Sequence, residues 1–169
     1  MTQELSELRQ KIIEGQISEA LDLIDEMDGM SKKALLDAIQ TFLERMLTHL
    51  IKNDIEQRMT NSWAASIRDF LLQIYKRNLR DRQAWYLSGT DWAERLDEGY
   101  EVALADASGE ALGGILTPFA ISEKVNKAQV LAHAQAMLNI LYVLPAKALP
   151  NAINEYLVRL PGGEMWAKK

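Results

Sequence analysis

The stretch from Ser31 to Arg82 limits the possible folds more than any other part of the chain. Leu35, Leu36, Ile39, Phe42, Leu43, Met46, Leu47, Leu50 and Ile51 recur at i, i+3, i+4 and i+7, which places them on one face of a helix. On a helical wheel this stripe spans roughly half the circumference, wider than a coiled-coil seam. A face that wide needs at least two neighbours, so the pattern predicts a bundle. Ser31 after Gly29 predicts the N-cap of this helix. A second long helix is expected from Asn61 or Ser62, with Trp63, Ile67, Phe70, Leu71 and Ile74 facing inward. Asn78 falls in the line of that face and predicts that the helix leaves the core there.

Helical spacing governs the rest of the chain as well. Leu5, Leu8, Ile12 and Ile13 form one short stripe ending at Gly15, and Ile17, Leu21 and Ile24 form another. These two fit either a small helical hairpin or one broken helix, and helices this short must dock on a neighbour. Trp92, Leu96, Gly99, Tyr100, Ala103 and Ala107 line a later helix, whose small residues predict the close approach of another. Gly109, Gly113, Gly114 and Pro118 mark a break. A helix is then expected from Val125 to Leu144, with His133 on its polar stripe facing solvent, and a last short one from Pro150 to Leu160. The terminal Glu164 to Lys169 is expected to be loosely held. The expected fold is all-α: an antiparallel bundle with a four-helix core over residues 1–113, and C-terminal helices over 114–169 packed on that core or on a partner.

Composition removes several classes of function. There are no cysteines, so disulfides, thiolate metal sites and cysteine nucleophiles are excluded, and a reducing cytoplasm is the expected setting. The first residues are acidic and interrupted, unlike a secretory signal. The most apolar run, around Ala128 to Leu144, carries Gln129, His133, Gln135 and Asn139, and no membrane span is expected. A net charge of -5 disfavours a general nucleic-acid binder.

His49-Leu50-Ile51-Lys52, followed by Ser62-Trp63 with Ile67 and Arg68, resembles the helical family called domain of unknown function 29, common in cyanobacteria. Tyr100 with Ala103 matches a later position of its pattern, and Glu14 to Asp28 leading into Gly29-Met30-Ser31 resembles its cyanobacterial branch. The resemblance covers about residues 3–110. It departs after Arg82, where many members carry a Pro-Ser-Leu-like motif and this chain has Ala84-Trp85-Tyr86-Leu87. It implies an all-helical bundle and no established activity.

One cluster invites a functional reading. Arg45, His49 and Lys52 share a flank of the first long helix, and Ser62, Trp63 and Arg68 open the next. As a site for an anionic ligand or phosphodiester, His49 would move protons and Arg45, Lys52 and Arg68 would clamp charge. The structural reading, which is preferred, has His49 at the bundle edge hydrogen-bonding a neighbouring helix end, with Trp63 filling the core. Lys76, Arg77, Arg80 and Arg82, near Trp85 and Tyr86, form a basic stretch for which nucleic-acid binding is again the lesser reading. Asp22, Asp25 and Glu26 are spaced as metal carboxylates can be, but read as a solvated face. No metal or other cofactor is expected. The favoured function is a non-catalytic protein-interaction or oligomerisation module, and the alternative is a nucleic-acid-binding or phosphodiester-acting protein.

Overall fold

The Thr2 hydroxyl accepts from the Leu5 N–H and caps helix α1 (Gln3–Ile13). The chain then reverses through Gly15, whose φ of 75° is the left-handed conformation glycine tolerates best. Gln16 N–H donates to the Lys11 carbonyl and Gly15 N–H to that of Ile12, so the helix ends in a Schellman turn. Helix α2 (Ile17–Glu56) begins at once. Lys11 crosses the turn to Glu19 at 3.0 Å. The computed structural model describes residues 1–81 and 84–169, which form two compact units, 1–38 and 39–169.

In the first unit Ala20 is buried, Leu8, Leu23 and Met27 are half-buried, and many larger apolar side chains stay in solvent. The expected break at Gly29 and helix start at Ser31 are corrected, because α2 runs through both. Glycine inside a helix costs about 1 kcal/mol relative to alanine. Met27, Lys32, Lys33 and Ala34 are good helix formers on either side, and Lys33 pairs with Asp37 at 2.7 Å one turn on. One unfavourable residue does not outweigh that run.

In the second unit, α2 ends where Gln57 turns to a φ of 51°. Thr60 caps α3 (Asn61–Asn78) by accepting from the Trp63 N–H at 3.0 Å. A small antiparallel pair, β1 (Leu79–Asp81) and β2 (Ala84–Trp85), leads to α4 (Asp91–Ser108). After a short 3₁₀ turn come α5 (Pro118–Lys124), α6 (Lys127–Ile140), α7 (Leu149–Leu157) and α8 (Gly163–Ala167). The fold is all-α, as expected, apart from that small hairpin.

The apolar stripe of α2 supplies Ile39, Leu43, Met46, Leu47, Leu50 and Ile51 to the core, all essentially inaccessible. Each such side chain contributes about 1.5–3 kcal/mol by burial, an upper bound given a compact unfolded chain. Ile67, Leu71 and Ile74 of α3 and Trp92, Leu96 and Tyr100 of α4 join them. Gly99 provides the expected close approach: a Cβ there would lie 3.1 Å from Gln40 Nε2 and 3.3 Å from Glu44 Cγ. Gln40 in turn donates to the Arg95 carbonyl at 3.0 Å.

Residues 114–169 lie in the same unit as residues 39–113. Helix α6 buries Val130, Ala134, Met137 and Leu138, and α7 buries Ile153 and Leu157 against α3 and α6. The helix expected from Val125 to Leu144 is α6, shorter at both ends, and the stretch before it that was expected to be a break holds a further helix, α5. Thr117 caps α5, with Pro118 at its first position, and Asn126 caps α6. The terminal segment expected to be loose forms α8, and its Trp166 is half-buried.

Asn78 corrects a further expectation, since it does not mark an exit from the core. It is 2 % exposed, donates to the Leu87 carbonyl at 2.8 Å and to the Tyr142 hydroxyl at 3.0 Å, and accepts from the Leu87 N–H at 2.8 Å. The Tyr142 hydroxyl donates to the Leu87 carbonyl and accepts from the Trp92 indole. A polar residue in an apolar face can thus be inside and fully satisfied.

Candidate functional site

The corner between α2 and α3 is built around Trp63. Thr60 starts the helix so that this indole turns back over α2. Lys52 Nζ lies 4.9 Å and the Arg58 guanidinium 4.7 Å from its ring centroid, both as cation–π contacts. The Lys52 side chain is buried, with its ammonium 3.9 Å from the Glu110 carboxylate. Asn53 Nδ2 donates to the carbonyls of Arg58 and Pro161, so the C-terminal segment closes over the corner. Gly162 makes this possible: a Cβ there would fall 2.6 Å from Arg58 Cα.

One turn earlier on α2, His49 lines a groove of about 390 Å³ with Arg45, Thr48, Phe70, Asp106 and Glu110. Its ring stacks on Phe70 with centroids 5.9 Å apart. Nδ1 is buried with no hydrogen-bond partner among the described residues, so for this nitrogen the expected bond to a helix end is not made. Burial, helped by the Lys52 charge, lowers the imidazole from its ordinary 6.5 to about 4. Such a ring is neutral at pH 7 and a weak base, poorly matched to proton transfer there. The groove places two carboxylates beside the one guanidinium of Arg45, which disfavours a phosphate.

The lowered imidazole has a consequence for stability. The unfolded ring takes up a proton near 6.5 and the folded ring only near 4. Its contribution is therefore complete above 6.5 and is lost as pH falls toward 4. The ring is partly screened by solvent, which reduces that contribution to about 1–2 kcal/mol. His49→Phe is expected to flatten this part of the stability–pH curve, measured as urea midpoints across the range. A slope unchanged from the wild-type chain would contradict the assignment.

The other candidate residues are dispersed. Arg68 Nη1 donates to Asn154 Oδ1 on α7 at 2.7 Å and borders a different groove, with Asn61, Glu155, Val158 and Trp166. Ser62 is exposed. Lys76 is exposed, Arg77 lies over the Phe42 ring and donates to Gln73 Oε1, and Arg80 lies over Tyr86. Arg82 lies outside the described residues. His133, expected in solvent, is half-buried, with Nδ1 2.8 Å from the Tyr156 hydroxyl and its basicity lowered by burial. Asp22, Asp25 and Glu26 are exposed, and no metal-holding group of His, Cys, Asp and Glu occurs among the described residues.

Two features of this region escaped the sequence reading. Asp106 and Glu110, spaced i, i+4 at the end of α4, give the groove its acidic wall, and that spacing was available as a signal. Asn53 and Gly162 carried none, because the contacts that join the C-terminal segment to the corner, Asn53 to the Pro161 carbonyl and Gly162 to Arg58, are made with backbone atoms about 100 residues away.

The family described as Domain of unknown function DUF29 matches residues 2–134, a span that takes in His49, Lys52, Trp63 and Tyr100 and ends within α6. No curated protein and no solved structure matches the chain. No helix among the described residues is long and apolar enough to cross a membrane.

Proposed function

The chain belongs to the family of the domain of unknown function DUF29, and from that premise we propose that it acts by binding another protein through residues 1–38. The observation that carries this reading is the uncovered apolar surface of that unit. Ile13, Ile17 and Leu21 are 66 %, 55 % and 56 % exposed, with Leu5, Ile12 and Ile24 above 40 %. Scattered apolar residues on a surface need no explanation, but so many on one small helical hairpin are the mark of an interaction site. Residues 39–169 bury the apolar stripes of α2, α3 and α4 within their own core, although Ile115, Phe119, Val143 and Met165 are exposed there. The setting we propose is the cytoplasm, which suits a chain free of cysteine.

The nucleic-acid or phosphodiester alternative has less support. Arg68 is engaged by Asn154 away from His49, and Asp106 and Glu110 face the groove that His49 lines.

Affinity capture from the native host tests the proposal. The wild-type chain is expected to retain specific proteins that an Ile17→Asp/Leu21→Asp chain loses. Identical captured sets would overturn the reading.

A further inference from the structure

The charges of this chain are unevenly distributed. Residues 1–38 carry nine acidic and four basic side chains, and residues 39–169 carry fifteen of each. The whole formal charge of -5 therefore resides on the hairpin that also exposes the apolar side chains. Asp25 and Asp28 are exposed on the same stretch of α2 as Ile17, Leu21 and Ile24, which follow one another at i, i+4 and i+7.

Resting on the binding role proposed above, we propose that the hairpin of α1 and the start of α2 docks a basic amphipathic helix of a partner protein. Two helices enclose little by themselves, and here Ala20 is the buried apolar side chain. A third helix laid along them would cover the exposed isoleucines and leucines, the usual manner in which an amphipathic helix is held. Helix α1 has 11 residues, so a partner segment of about 12–18 residues matches its length.

The charge selects among occupants. A second copy would bring two units of charge -5 together, and nucleic acid or an anionic lipid surface would be repelled in the same way. Lysines and arginines flanking an apolar stripe would complement the acidic residues and speed encounter, while the apolar contacts would hold the complex.

The test titrates the full chain into a fluorescent peptide of about 18 residues with leucine at i, i+3, i+4 and i+7 and lysine elsewhere. Two control peptides replace every leucine by serine or every lysine by glutamate. The leucine–lysine peptide is expected to bind at least about tenfold more tightly than either control, and more weakly as salt is added. Ile17→Asp/Leu21→Asp and, independently, Asp25→Lys/Asp28→Lys are each expected to weaken it about tenfold or more, with helix content unchanged by circular dichroism. These four positions are exposed, so the substitutions test the surface rather than the core.

Equal binding of the lysine and glutamate peptides, or binding indifferent to both variants, would overturn the proposal. So would sedimentation showing dimers that Ile17→Asp/Leu21→Asp dissolves. Cross-linking in the host separates this inference from the reading beneath it. A captured partner that depends on Ile17 and Leu21 but docks a neutral or acidic segment overturns the basic helix and leaves the binding role standing. Capture indifferent to Ile17 and Leu21 overturns both.

Discussion

Asn78→Leu is expected to lower the stability of the chain by about 3 kcal/mol, read as a fall in the urea midpoint. Leucine keeps the branching and the heavy-atom count of the asparagine side chain, so the loss would be chiefly polar. The Leu87 N–H, paired with Asn78 Oδ1 at 2.8 Å, would be left in a buried site without its acceptor. An orphaned donor of that kind costs about 1–3 kcal/mol, and the bonds from Asn78 Nδ2 to Leu87 and Tyr142 go with it. Tyr142→Phe should cost less, about 1–2 kcal/mol, because the asparagine would still hold the Leu87 backbone. The two losses should not add, since the residues share partners. A midpoint for Asn78→Leu indistinguishable from wild type would mean that this network does not hold the loop from β2 to α4.

Gly162→Ala is expected to cost a similar amount, about 3 kcal/mol, for a steric reason. The residue sits at a φ of 72°, which strains any side chain, and the added Cβ would lie 2.6 Å from Arg58 Cα and 2.9 Å from Met59 N. Both obstacles are backbone, so no rotamer change relieves them. Relief requires the C-terminal segment to draw back, which would break the bond from Asn53 Nδ2 to the Pro161 carbonyl. Gly113→Ala isolates the conformational part. Gly113 has a φ of 75° but nothing within 4 Å of a Cβ, so that variant should lose only about 1 kcal/mol. Equal thermal shifts for the two alanine variants would show that the Arg58 approach is not the cause.

Much of the architecture was legible in local pattern. The half-circumference stripe from Leu35 to Ile51 announced a helix with several neighbours, and α2 meets α3 and α4 in the core. The start of α3 was legible because Asn61-Ser62 opens an apolar period, and the close approach at Gly99 because only small residues permit it. Gly29 misled because a propensity cost of about 1 kcal/mol was read as a break, when its neighbours favour the helix more strongly. Pro118 misled in the opposite direction, since proline ends a helix from within but suits its first turn, where no N–H is needed.

The candidate cluster was the least legible part. Arg45, His49, Lys52, Ser62, Trp63 and Arg68 are near one another in the chain, and helical spacing brought them to neighbouring faces on paper. The fold divides them instead: His49 and Arg45 border an acidic groove, Lys52 lies against Trp63, and Arg68 reaches Asn154. Helical wheels rank the residues of one helix around its axis. They do not reveal which other helix lies opposite, and Asp106, Glu110 and Asn154, which help decide these roles, stand more than 50 residues away.

By itself, the sequence determined the helical class, the start of α3, the apolar faces of the long helices and the family resemblance. Each follows from interactions within a few residues, or from a sum over residues. Only the tertiary structure decided that Asn78 is inside, that His49 loses its basicity, that Gly162 abuts Arg58, and that the first hairpin leaves its apolar side chains in water. Burial and desolvation depend on what packs across from a residue, and that is a property of the folded chain rather than of any local stretch.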